Sequence, residues 1–243
     1  VVSSTEINRV LGGGLVPGSV VLIAGDPGIG KSTVLLRLAA DLASSSGGAL
    51  YVSGEESAAQ IKMRAERLGI SGEGLFLTAA TDVDAILDHL ERKRPAVALV
   101  DSIQTVYDDS ISSGAGAASQ VRECTRRLMQ WAKVSETPMV LSGHVTKGGD
   151  IAGPRVLEHM VDVVLYMEGD PVSSWRLLRT VKNRFGSANE IGVLEMTQSG
   201  LLDVVDPSKA LLSERRAGSV GSSIVAVMEG SRPLLAEVQA LTV

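Results

Sequence analysis

The sequence predicts an α/β fold: a mostly parallel central sheet flanked by helices, with antiparallel strands at one edge. Three observations predict it. Short apolar runs alternate with amphipathic stretches through the first part of the chain. A glycine-rich loop joins the first run to the first helical pattern. Beyond about residue 160, strand patterns follow one another without long helices between them.

The elements read in order. Val20 to Ala24 has no polar alternation, as expected of a strand covered on both faces. A helical pattern runs from Lys31 to Leu42. Ala49 to Val52 is the second strand and Ser57 to Leu68 the second helix. Phe76 and Leu77 sit in a third strand, followed by a helix from Val83 to Glu91 that Pro95 stops. Val97 to Val100 is the fourth strand. Ser110 to Ser119 is rich in Ser, Gly and Ala and reads as a mobile loop. Gln120 to Val134 reads as a helix with Val121, Leu128 and Trp131 on its apolar side. Met139 to Leu141 is the fifth strand. Right-handed β-α crossovers then make these strands parallel. Val163 to Met167, Trp175 to Val181 and Ile191 to Met196 read as antiparallel additions, with a turn at Gly169, Asp170 and Pro171. Strands near Ile224 to Met228 and Leu234 to Ala240 follow a Gly/Ser stretch from Ala217 to Ser223. The division is a core over 1–216 and a short β extension over 217–243.

Composition narrows the function. The chain has 243 residues, 44% hydrophobic and 21% charged, which excludes wholesale disorder. The formal net charge of −5 argues against diffuse nucleic-acid binding and leaves room only for local basic loops. Aromatic content of 3% argues against a base-stacking platform. The single cysteine, Cys124, excludes an intrachain disulfide and a cysteine-based zinc site. It fits a reducing intracellular compartment. No apolar run approaches bilayer length, so no membrane partner is expected. The chain opens on Val1, with no signal-peptide pattern, and reads as a piece of a longer one.

Gly25-Asp26-Pro27-Gly28-Ile29-Gly30-Lys31-Ser32, followed by Thr33, matches G-x-x-x-x-G-K-[ST] at every fixed position. It follows an apolar strand and opens a helix, the context in which backbone N–H groups and the helix dipole face phosphates. Lys31 is expected on the β- and γ-phosphates and Ser32 on Mg²⁺. Asp101 ends the fourth strand and is expected to hold the Mg²⁺ shell; alone, a strand-end Asp serves as often as a turn or helix cap. Ser53-Gly54-Glu55-Glu56-Ser57 follows the second strand. Glu55 is the expected base for an attacking water, with Glu56 in reserve. Both glutamates would also suit a helix N-terminus. His144, after Gly143 at the end of the fifth strand, is a candidate phosphate sensor. His89 and His159 carry no such reading.

Leu11 to Ser19, Leu-Gly-Gly-Gly-Leu-Val-Pro-Gly-Ser, together with Gly25 to Thr33 resembles the opening of the RecA-like ATPase superfamily. Tyr51 to Ser57, Gly143 to Lys147 and Lys182-Asn183-Arg184-Phe185-Gly186 narrow the resemblance to the RadA (Sms) family of bacterial DNA-repair and recombination ATPases. It covers nearly the whole chain. The resemblance implies a RecA-like P-loop core and a cytoplasmic hexameric ring of the DnaB helicase type. ATP with Mg²⁺ would lie between subunits, and single-stranded or branched DNA would pass through the ring during branch migration alongside RecA. It implies Glu55 as the catalytic glutamate, His144 as the γ-phosphate sensor, and Lys182 and Arg184 reaching into a neighbour's site. The family's four-cysteine zinc module is absent here, and its Lon-like domain would begin near Val243. Two loops, Tyr107 to Ser119 and Thr146 to Arg155, are candidates for the DNA path through Lys147 and Arg155. Arg122, Arg126 and Arg127 lie on the helix after the first. A non-motor regulatory ATPase and a P-loop phosphotransferase are the competing readings.

Overall fold

A computed structural model of the chain describes residues 2–43, 47–145, 155–169, 174–212 and 221–240. Its centre is β1 (Val20–Gly25), buried along its whole length. β1 pairs in parallel with β5 (Met139–His144) on one side and β6 (Val163–Glu168) on the other. β2 (Ala49–Ser53), β3 (Leu75–Ala79) and β4 (Val97–Asp101) complete the parallel half. The nine-stranded sheet has the order β3-β2-β4-β5-β1-β6-β7-β8-β9. β7 (Trp175–Asn183), β8 (Ile191–Thr197) and β9 (Gly200–Asp203) form its antiparallel edge.

Strand alternation sends successive residues to two separate cores. Val21, Ile23, Tyr51 and Leu99 pack under α2 (Lys31–Ala43) and α3 (Ala58–Arg67). Val20, Leu22, Val52 and Val100 pack under α4 (Val83–Lys93) and α5 (Ala118–Ser135). Unbroken apolar strands follow from this covering of both faces. The helix ends are written locally. Ser57 and Gln60 close a capping box at α3, and Asp82 caps α4. α4 ends with Arg94 in the left-handed region, one residue before Pro95.

Three features differ from the sequence reading. β6 was expected to be antiparallel and is parallel to β1, in register from Val21 opposite Val163 to Gly25 opposite Met167. The chain returns from β5 through α6 (Arg155–Glu158) before β6 starts, and a four-residue helix leaves no periodic signal. α1 (Thr5–Leu11), β9 and α7 (Pro207–Leu211) were not foreseen, because each is too short for a pattern of its own. The expected mobile loop at 110–119 is pinned in its first half. Gln120 Nε2 donates to the carbonyls of Asp108, Ile111 and Ser113 at 3.1, 3.2 and 2.8 Å. The turn at 169–171 and the Gly/Ser stretch at 217–223 lie largely outside the described residues.

β10 (Ser222–Glu229) and β11 (Arg232–Gln239) form a separate antiparallel hairpin. Two-stranded hairpins are marginal alone, and this one is tied to the core by side chains. Arg179 meets Glu229 at 2.9 Å, and Arg232 pairs with Glu6 of α1. Glu6 is buried and the Arg232 side chain is largely covered, so removing the arginine would leave a buried carboxylate unpaired, at a cost of about 3–5 kcal/mol. Among the described residues no helix is long and apolar enough to cross a membrane.

Candidate active site

Residues Gly25 to Thr33 run from the end of β1 into the first turn of α2. Asp26, Pro27 and Gly28 are exposed on the rim, while Ile29 is buried and Gly25 closes the strand. Gly30 has φ 116°, and a Cβ there would lie 2.6 Å from Met196 Cε. Only glycine combines that backbone with that approach.

Lys31 is 3% exposed. Its Nζ donates to the carbonyls of Gly25 and Asp26, each at 2.9 Å, and lies 3.1 Å from His144 Nδ1. All three ammonium donors are therefore engaged. Burial holds the Lys31 pKa below its ordinary value, against the raising influence of Asp101, Glu55 and Asp26. An ammonium has no acceptor, so His144 Nδ1 accepts and the ring proton sits on Nε2. That Nε2 is 2.8 Å from Glu55 Oε1, which also accepts from Ser102 Oγ at 2.6 Å. Lys31, His144, Glu55 and Ser102 thus form one hydrogen-bonded chain.

Asp101, 6% exposed, ends β4 beside this chain. It accepts from Tyr51 Oη at 2.6 Å and from Ser142 Oγ. Burial, then the Asp101 charge, raises the Tyr51 pKa, so the phenol stays a donor and fixes the carboxylate. The two glutamates part company. Glu55 faces His144, whereas Glu56 pairs with Arg64 of α3 and its N–H donates to Ser53 Oγ at 2.9 Å. Gly54 is needed between them and β2, because a Cβ there would overlap the Thr105 hydroxyl.

These groups surround a cavity of about 280 Å³. Gly28, Gly30, Lys31, Ser32, Thr33, Glu55, Asp101 and His144 all line it, so the sequence-selected residues at this end of the sheet converge. The Ser32 hydroxyl and Asp101 carboxylate are hard oxygen donors suited to Mg²⁺. Among the described residues no group of three or more His, Cys, Asp or Glu could hold a metal ion. Sequence reasoning missed Tyr51, Ser102 and Ser142 as supports, Arg64 and Arg67 on the cavity wall, and Arg176. Arg176 Nε donates to the Ile29 carbonyl at 3.0 Å and braces the loop from β7. Strand alternation was the available signal, since it places Arg176 on the same buried side as Leu178 and Thr180.

Lys182 and Arg184 lie at the other end of the sheet. Asn183 pairs with Val163, the first residue of β6, while Gly25 lies opposite Met167. Four strand residues separate the two levels, roughly 13 Å. Lys182 Nζ donates to the carbonyls of Glu158 and Val161, each at 2.8 Å, and Arg184 pairs with Asp162 at 3.1 Å. Both still reach the same side, because both lean on residues 158–162. Of the basic DNA-path candidates, Lys147 lies outside the described residues and Arg155 opens α6. Arg126 pairs with Glu123, and Arg127 with Asp84 and Asp108; Arg122 is exposed. Ser110 and Arg127 hold Asp108 ionised, with its pKa lowered to about 2.

The strand, the phosphate loop opening a helix and the buried acid on a neighbouring strand together define a P-loop ATPase. Residues 2–150 match the family model described as an AAA domain, and the chain belongs to that family. The RadA resemblance drawn from the motifs is borne out. The chain is 57% identical over 236 residues to the DNA repair protein RadA of Bacillus subtilis, covering 97% of this chain and 52% of that protein. Identity to the protein of the same name from Streptococcus pneumoniae is 57%, over 97% of this chain and 56% of that one. For Listeria monocytogenes the values are 55%, 97% and 52%. The chain spans about half the length of the curated relatives it matches.

Proposed function

We propose that the chain is the motor segment of a DNA-repair ATPase that hydrolyses ATP at subunit interfaces of a hexameric ring and acts on single-stranded or branched DNA. The observation that carries the nucleotide part is the single cavity shared by the phosphate loop, Glu55, Asp101 and His144. Lys31 exchanges its carbonyl partners for β- and γ-phosphate oxygens when ATP enters. Ser32 and Asp101 hold Mg²⁺, which supplies charge neutralisation on the phosphates when bound. Glu55 accepts the proton of the attacking water. His144 already touches both Lys31 and Glu55. A phosphate that draws Lys31 away changes the imidazole's partner, and that change is the signal passed to the loop beyond β5.

Lys182 and Arg184 lie some four strand residues, roughly 13 Å, from the level of their own phosphate loop, which argues against a role in cis; a head-to-tail neighbour would bring them to another subunit's site. We assign them to the neighbour's γ-phosphate. Residues 1–216 serve as the motor core and 217–243 as an extension toward further chain. The DNA substrate, branch migration and cooperation with RecA rest on the resemblance and on the relatives' printed names. The test is ATP turnover with and without single-stranded DNA, together with the mass of the assembly. Stimulation by DNA in a ring supports the motor. DNA-independent slow turnover or autophosphorylation favours a regulatory ATPase, and transfer to a small molecule favours a phosphotransferase.

A further inference from the structure

The antiparallel edge of the sheet packs against the back of the phosphate loop. A Cβ on Gly25 would lie 2.6 Å from the Met167 carbonyl oxygen of β6, and one on Gly30 would run into Met196 of β8 and Met167. Those contacts only fill space, but one contact is directional. Arg176 of β7 is 7% exposed, and its Nε donates to the Ile29 carbonyl at 3.0 Å. Its Nη1 donates to the Trp175 carbonyl at 2.7 Å. Burying a guanidinium is costly unless its N–H groups are bonded, and here one of those bonds goes to the middle of the phosphate loop.

The peptide between Ile29 and Gly30 is trans, so its carbonyl and its N–H point in opposite directions. Gly28, Gly30 and Lys31 line the phosphate cavity, whereas Ile29 is buried behind them. Holding the Ile29 carbonyl toward β7 therefore turns the Gly30 N–H to the cavity side. A glycine at φ 116° does little to fix that peptide plane by itself, so the plane is fixed from outside. A charged donor on the carbonyl also polarises the peptide and makes its N–H a stronger donor.

We propose that Arg176 is a positioning residue of the phosphate site: its bond to the Ile29 carbonyl aims the Gly30 N–H at a phosphate oxygen of the nucleotide, so that a residue of the antiparallel edge sets the affinity of the loop. This rests on the nucleotide site proposed above. Arg176 itself touches no phosphate and acts through the backbone.

The experiment is equilibrium titration of the whole chain with ADP and magnesium, with the Gly30 amide followed by NMR. Arg176→Met removes the donor and should weaken ADP about tenfold at unchanged stoichiometry. Arg176→Gln puts an amide nitrogen where Nε stood, so it should recover most of that loss and bind within about threefold of the parent. The Gly30 amide signal should shift when ADP binds the parent, shift less in Arg176→Met, and regain its shift in Arg176→Gln. An Arg176→Met protein that binds ADP as tightly as the parent would overturn the proposal. So would a folded Arg176→Gln protein that loses as much as Arg176→Met, since charge or packing rather than the donor would then be what matters. Should Arg176→Met not fold, the parent and Arg176→Gln decide: a Gly30 signal that ADP leaves in place, or a tenfold loss in Arg176→Gln, sinks the idea. Lys31→Ala separates the two levels. ADP binding that needs neither Lys31 nor Arg176 removes the nucleotide site itself, whereas binding that needs Lys31 but ignores Arg176 removes only this inference.

Discussion

Lys31 and Lys182 rest in the same pose at opposite ends of the central sheet. Each ammonium lies on backbone carbonyls: Gly25 and Asp26 for Lys31, Glu158 and Val161 for Lys182. Burial lowers both pKa values, and the neighbouring Arg184 charge lowers that of Lys182 further. Their surroundings differ. Lys31 is walled in by Glu55, Asp101 and His144 around one cavity, whereas Lys182 is half-buried beside Arg184 and the carboxylate of Asp162. The same local chemistry therefore lies inside a shared cavity at one end and outside it at the other. A cation on a strand end becomes part of a site only when its tertiary neighbours supply complementary groups. At the far end, on our reading, those groups come from a second subunit.

The largest expected effect tests the cavity end. Lys31→Ala should bring ATP turnover to background and weaken nucleotide binding, measured by phosphate release and by titration. Robust turnover in that variant would move the site elsewhere. Next comes the far end. Arg184→Ala should lower turnover by on the order of 10³-fold or more while leaving nucleotide affinity of the monomer nearly intact. Mixing Arg184→Ala with Glu55→Gln subunits should restore part of the activity, because some interfaces then pair an intact Glu55 with an intact Arg184. Mixed rings with no recovery, or full activity in dilute monomer, would leave the two ends unconnected.

A smaller effect separates the glutamates. Glu55→Gln should keep binding and lose roughly 10²–10⁴-fold in hydrolysis, while Glu56→Gln should retain most of its turnover. The reverse result would exchange their roles. The smallest effect compares the lysines by pH. Each has a folded pKa below the ordinary lysine value of 10.5, so between that lowered value and 10.5 the unfolded chain holds more protons. Stability without nucleotide should rise with pH across that window. Denaturant midpoints from about pH 8 to about pH 10 should rise less in Lys31→Met than in the parent. Lys182→Met should change the slope less than Lys31→Met does, because Lys182 is the less buried of the two. Identical slopes in all three proteins would remove burial as the difference between the ends.

The parallel strands and the phosphate loop were legible because their signals are short-range. Val20 to Ala24 is apolar throughout, and Gly25 to Ser32 keeps a fixed spacing within one turn of chain. Asp101 was legible from the strand that it ends. The direction of β6 was not, because it depends on where a four-residue helix returns the chain. The partners of Lys182 and Arg184 were not legible either. They come from residues 158–162, some twenty positions away, which reach them only after β6 pairs with β7.

The sequence by itself determined the alternation of elements, the loop that can hold phosphates and the identity of its lysine, since propensity, patterning and motif spacing act over a few residues. Tertiary structure decided which groups share a cavity. It joined Glu55, 24 positions beyond Lys31, to His144, a further 89 positions along, through contacts at 2.8 and 3.1 Å. It also gave Glu56, on the wall of the same cavity, to Arg64 rather than to His144. Adjacent glutamates differ by nothing that pattern can read. They differ in what the fold brings within hydrogen-bond reach of each, and that depends on the packing of α3 and β5 around β2 and β4.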